Sequence, residues 1–252
     1  MHVKATKIPL KNILPYRDLY LQEMNRQIRY NACHERGWSD SYLLYADEAV
    51  IGYGSVKGQE IADRDTIFEF YLLPQYQRLA TRVFAVLLDT CGAKFIEPQS
   101  NAPLLTAMLY EFATNIRAEA ILFEADSPTN LSVSDVVFRS KEEYETTFGK
   151  KVEDGSGYVL EKGGEVVGSG DFLLHYNKPF ADLYMEVAES HRNKGLGSFL
   201  IQELKKVCYI AGKVPAARCN IQNKASKATL LKGGLKVAGC MLIGEVKIGE
   251  NN

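Results

Sequence analysis

The 252-residue sequence has no long run of like charge: 30 basic residues face 31 acidic ones, for a net charge of -1. That balance excludes nucleic acid held by bulk electrostatics. No segment approaches the ~20 apolar residues a membrane span needs. The opening "MHVKATKIPLKNILPYRD", broken by Pro9 and Pro15, holds no apolar stretch resembling a signal peptide. The expectation is a soluble, cytoplasmic protein without a membrane partner. Five cysteines are scattered, odd in number and never spaced as C-x-x-C, which argues against a disulfide framework or a zinc knuckle. The four histidines show no ligand spacing, so no metal is expected. No G-x-x-x-x-G-K-[ST] loop occurs either.

What the sequence does contain is a hidden duplication. At 46% hydrophobic residues it can build one large or two modest cores. "SYLLYADEAVIGYG" (Ser41 to Gly54) laid over "GYVLEKGGEVVGSG" (Gly157 to Gly170) matches at five of fourteen positions: Tyr42/Tyr158, Leu44/Leu160, Val50/Val166, Gly52/Gly168 and Gly54/Gly170. The offset is 158 − 42 = 116. Each segment alternates, turns through polar residues and alternates again, the pattern of a β-hairpin. Farther on, "YLLPQYQRLATRVFAVLLD" falls beside "MEVAESHRNKGLGSFLIQELK", with Gln77 opposite Arg192 at an offset of 115. A repeat this long implies two homologous domains, here placed at 1–125 and 126–252, with the boundary in the turn-rich "EADSPTNLSVSD".

The periodicity predicts, in the first half, a helix over 14–29, the hairpin, a strand at 67–73, a helix at 81–90, a strand at 94–97, a helix at 103–114 and a strand at 120–124. The second half reads as a short helix near 141–148, the hairpin, a strand at 181–188, a helix at 197–212, a strand at 216–221, a helix at 224–232 and a strand at 236–243. The fold class is therefore α/β (α+β), with a mixed sheet in each half.

"HRNKGLGS" joins a strand to a helix whose apolar face is Leu200, Leu204, Val207, Cys208 and Ala211, with Gln202, Glu203, Lys205 and Lys206 opposite. The first N–H groups of a helix lack acceptors and sit at the positive end of its dipole, so anions collect there. Gly195 and Gly197 remove side chains that would hold an anion away, and Arg192 and Lys194 add charge at the rim. A solvated turn before a helix is the plain alternative. The segment lacks the third glycine of a dinucleotide fingerprint but fits R-x-x-G-x-G.

In this setting the region Tyr158 to Ile243 resembles the GNAT superfamily of acetyl-CoA-dependent N-acetyltransferases. "LYMEVA" is similar to the family's fourth strand, "RNKGLG" to its [QR]-x-x-G-x-[GA] loop, and "NKASKATLLKGGL" to its asparagine-led helix, with Leu235 replacing the usual Phe. The resemblance implies two tandem domains, each a mostly antiparallel twisted sheet flanked by helices, with the N-terminal copy degenerate. It implies acetyl-CoA as co-substrate, its diphosphate on the N–H groups of Asn193, Lys194, Gly195, Leu196, Gly197 and Ser198 beside Arg192. The pantetheine arm would lie along Val187 and Ala188, with Asn223 a further contact or simply a helix cap. A small-molecule or peptide amine would be the acceptor and Glu186 the candidate general base, with Asp182 and Tyr184 behind it. Leu230 stands where many members carry a tyrosine acid, so Tyr209 or Tyr176 would have to serve, or the thiolate leaves unassisted.

In the first half the same loop reads Gln77-Arg78-Leu79-Ala80-Thr81-Arg82, with Arg82 where the diphosphate should rest. A non-catalytic acyl-CoA-binding or interaction module is the rival reading, and a nucleotide-binding regulator a third. The protein is expected to be a monomer or homodimer.

Overall fold

A computed structural model describes residues 1–23, 31–142, 145 and 157–247. In chain order the elements are β1 (Val3–Ile8), α1 (Leu14–Glu23), α2 (Asn31–Glu35), β2 (Ser39–Ala46), β3 (Ala49–Lys57), β4 (Thr66–Leu72), α3 (Ala80–Cys91), β5 (Phe95–Ile96) and α4 (Pro103–Phe112). There follow β6 (Ala113–Ala125), β7 (Val136–Ser140), β8 (Tyr158–Lys162), β9 (Glu165–Leu173), β10 (Phe180–Val187), α5 (Leu196–Ile210), β11 (Val214–Asn220), α6 (Lys224–Lys232) and β12 (Leu235–Val246). The expected helix over 14–29 is described only to Glu23. Most of the one expected near 141–148 lies outside the described residues.

Two compact units result. One comprises Met1–Ala120 and Gly239–Asn252, the other Ile121–Ala238. The division thus falls at Ala120/Ile121 rather than 125/126, and the chain's last strand joins the first unit because Gly244 and Glu245 pair antiparallel with Ile96 and Phe95. Strand order in the first unit is β1-β2-β3-β4-β5-β12; in the second it is β7-β8-β9-β10-β11-β6. Each is a mixed, mostly antiparallel sheet.

The duplication extends to register. In the first hairpin Leu44 pairs with Gly52 and the ladder slips before Tyr45, which pairs with Val50. In the second, Leu160 pairs with Gly168 and the slip comes before Glu161, which pairs with Val166. A bulge leaves one residue unpaired. Its carbonyl then takes the same partner in both copies: Leu73 N–H donates to Ile51 (2.8 Å) and Ala188 N–H to Val167 (2.9 Å).

In the first unit α3 buries Val83, Phe84 and Leu87 against Leu44, Ile67, Phe70 and Leu72. The other face of that sheet packs Leu43, Tyr53 and Tyr71 under Ile13 and Tyr20. In the second unit α5 buries Leu196, Leu200, Ile201 and Leu204 against Leu160, Val167 and Leu183. No helix among the described residues is long and apolar enough to cross a membrane.

Candidate functional site

The candidate site lies in the second unit. β10 pairs with β9 as far as Val187/Gly168, but its parallel pairing with β11 runs only from Phe180/Val214 to Asp182/Ala216. Beyond Asp182 the two parallel strands part, leaving an open edge on β10.

After β10 the chain makes a short 3-10 turn, Glu189–His191, closed by His191 N–H on the Ala188 carbonyl (2.8 Å). Arg192 is then extended, and left-handed residues at Asn193 (φ 63) and Gly195 (φ 81) flank Lys194 before α5 begins. Such alternation turns successive N–H groups toward one concavity, an anion-binding form of backbone. Among the described residues the first amide to find a helical acceptor is Phe199, on the Gly195 carbonyl (3.1 Å). The amides of Asn193 to Ser198 are left without backbone acceptors. A Cβ on Gly195 would meet no atom within 4 Å, so the space above the loop is open.

Gly197 has a different role from the one expected. A Cβ there would press on Thr229 Cγ2 at 3.1 Å and Met185 Cε at 3.3 Å, so this glycine lets α5 approach α6 and β10. Ser198 fastens the same contact, its hydroxyl donating to the Thr229 carbonyl (3.2 Å). Leu196 is core. Lys194 Nζ donates to the Ser190 carbonyl (2.9 Å) at the exposed rim.

Arg192 folds back on the strand. Its Nε donates to the Val187 carbonyl (3.1 Å), and its guanidinium lies 3.7 Å from Glu186. Of the groups named for the pantetheine arm, Ala188 N–H is spent on Val167 and the Val187 and Ala188 carbonyls accept from Arg192 and His191, while Val187 N–H faces the open edge of β10. Asn223 caps α6, its side chain accepting from Ser226 N–H (2.9 Å). Tyr209 does not converge: it lies 13 residues after Leu196 on α5, roughly 20 Å from the loop at 1.5 Å per residue. Leu230 is buried in the core and Tyr176 is buried in the turn before β10.

His175 belongs to no motif in the sequence. Its Nε2 lies 2.9 Å from Asp182 Oδ2, at the point where β10 and β11 part. Asp182, Tyr184 and Glu186 share a strand face. Burial pushes the Cys208 thiol up to about 12 and raises that of Cys219, so neither offers a thiolate near neutral pH. Among the described residues no three His, Cys, Asp or Glu side chains are grouped to hold a metal.

The first unit repeats this geometry until one point and then abandons it. Tyr76 N–H donates to the Leu73 carbonyl (2.8 Å) as His191 does to Ala188. The 3-10 turn Pro74–Leu79 then runs directly into α3, and Ala80 N–H is spent on Gln77. No left-handed residue occurs between Pro74 and Cys91. Arg82, expected to obstruct an anion, instead reaches the Met1 carbonyl (3.1 Å). Continuous helix, not a blocking side chain, removes the concavity.

Comparison with known proteins followed the duplication. The model of the "Acetyltransferase (GNAT) domain" matches residues 9–126 and that of the "Acetyltransferase (GNAT) family" residues 121–232. No curated protein matches the chain. Among solved structures, an acetyltransferase of the GNAT family from Colwellia psychrerythraea superposes with a TM-score of 0.74 at 15% identity, covering 98% of this chain and 100% of that one. A tandem GNAT protein from the clavulanic acid biosynthesis pathway gives 0.58 at 10% identity, over 99% and 100%. A GCN5-related N-acetyltransferase from Sphaerobacter thermophilus gives 0.54 at 11%, over 100% and 97%. At these identities the likeness is one of fold.

Proposed function

Since the chain belongs to the GNAT acetyltransferase family, as two domains in tandem, we propose that its second unit moves an acetyl group from acetyl-CoA to a primary amine of a small molecule or peptide. The observation that carries this reading is the loop of Asn193 to Ser198. Its unspent amides lie beneath open space with Arg192 and Lys194 at the rim, a fit for a diphosphate. The first unit, whose equivalent amides enter a helix, serves another purpose.

Acetyl-CoA supplies an activated thioester. The amine nitrogen bonds to the acetyl carbon as the carbon–sulfur bond breaks, the electron pair leaves on sulfur, and the nitrogen's proton passes to a protein base. Glu186 is one candidate for that base. His175, held by Asp182, is a second on the same side of the opening. No tyrosine stands at the α6 position usual for the acid, since Leu230 occupies it. That observation favours a second reading, an acyl-CoA-binding module without turnover.

Calorimetric titration of acetyl-CoA into the full chain tests the assignment. One site is expected, lost in Gly195→Asp, whose carboxylate would enter the open space above the amides. No binding at millimolar cofactor would overturn it. Thiol release with a panel of amines separates turnover from binding alone.

A further inference from the structure

The first unit retains a cleft of about 290 Å³, lined by Tyr20 and Glu23 of α1, Phe70 and Tyr71 of β4, Gln77 and the first turn of α4. Consecutive strand residues point to opposite faces, so a cleft touching both Phe70 and Tyr71 lies against the edge of β4. That edge is free because β4 pairs with β5 only at Thr66 and Ile67. The cleft therefore occupies the gap equivalent to the parted strands of the second unit, without the anion-binding loop beside it.

The lining chemistry is of one sign. Among the described residues Glu23 is the sole charged side chain that borders the cleft, and the remainder is aromatic, aliphatic or neutral. Glu23 Oε1 accepts the Tyr71 hydroxyl at 2.7 Å, and the Tyr20 and Tyr71 rings meet edge to face with centroids 6.0 Å apart. A carboxylate beside two phenol rings attracts a cation through charge and through the ring quadrupoles. The apolar walls ask for hydrocarbon. Among the described lining residues an anion would find no cationic side chain. The volume lies at the small end of the roughly 300–1,000 Å³ of ligand pockets, which suits a small molecule rather than a whole nucleotide cofactor.

We propose that this cleft binds a small organic ammonium ion with an apolar or aromatic body, its ammonium group at Glu23 and its carbon body against Phe70 and the start of α4. The site is separate from the acetyl-transfer site and does not rest on that reading.

The probe is 2-phenylethylamine, titrated into the full chain by ligand-observed NMR beside its neutral and anionic counterparts, 2-phenylethanol and 3-phenylpropionate. Saturable binding of the amine is expected, with the other two weaker by about tenfold, the scale of one charged hydrogen bond. Glu23→Gln should remove that preference and Ala107→Trp should abolish binding; both positions are exposed, so the fold should tolerate the changes. Saturating coenzyme A should leave the amine's affinity unaltered. Equal binding of the alcohol, an unaltered Glu23→Gln, or displacement by coenzyme A would each overturn the proposal. Because the amine titration uses no cofactor, its outcome is independent of whether the second unit binds acetyl-CoA.

Discussion

Glu69 is fully buried beneath α1 and α2, yet ionised. Arg17 Nε donates to its Oε2 at 3.1 Å, His34 Nε2 lies 3.0 Å from the same oxygen, and the Tyr53 hydroxyl donates to it at 3.0 Å. Burial alone would raise this carboxyl; Arg17 and His34 override it and hold the group well below the usual carboxylate range. Removing one partner from such a cluster strands the other charge in a dry interior. Glu69→Gln is therefore expected to cost about 3–5 kcal/mol, measured by urea unfolding. The pH dependence has a definite sign. A folded value below the unfolded one gives stability that is complete above the ordinary carboxylate range and is lost as pH falls through and below it. The wild-type protein should lose stability below about pH 4.5 more steeply than the Gln variant, and equal slopes would count against the cluster as the cause.

Elements legible in the sequence were those with one dry face. The two hairpins, α3, α5 and α6 all announce themselves by clean periodicity and appear within three residues of their expected bounds. Both missed strands are sheet edges: β1, with Lys4 and Lys7, and β7, with Arg139. Edges carry charge to resist pairing with other chains, and that charge erases the strand pattern. β6 starts directly after α4, earlier than expected, because Asn115 (φ 51), Arg117 and Glu119 interrupt its alternation. The polar side of α5 misled more subtly. Gln202 and Lys205 read as solvent-facing, but both are buried. Gln202 bonds the N–H and carbonyl of Leu131 at 2.7 and 3.0 Å. Lys205 Nζ donates to the carbonyls of Ser127, Gly233 and Gly234 at 2.6, 3.1 and 2.8 Å. Periodicity cannot distinguish water from an irregular backbone as the partner of a polar side chain. Lys205→Met, which orphans the carbonyls of Ser127 and Gly233 and leaves that of Gly234 to the amides of Asp126 and Ser127, is expected to lower the stability of the second unit by about 2–4 kcal/mol, read from its thermal melting.

At the scale of the whole molecule, the duplication has produced two units that keep the same strand order and hairpin bulge but differ at one loop. The repeat was visible because register errors are punished on both faces of a buried hairpin, which preserves its residues. The turn of Asn193 to Ser198 was visible because left-handed backbone favours glycine or asparagine. Which strand completes which sheet was not visible, since β12 alternates equally well beside any partner. Truncation after Ala238 is expected to lower the denaturant midpoint of the first unit, reported by Trp38, the sole tryptophan and a member of that unit. An unshifted Trp38 transition would mean β12 contributes nothing there.

The position of β12 also orders events on the ribosome. Ala120 and Gly239 are separated by 239 − 120 = 119 residues, so at roughly 5–20 residues per second the N-terminal segment waits on the order of 6–24 s for its closing strand. Throughout that interval the margin of Phe95–Ile96 that β12 will cover is open to other nascent chains. The half of the protein made first is thus the half that finishes folding last, and its yield in a cell should depend on chaperones that shield it while synthesis proceeds.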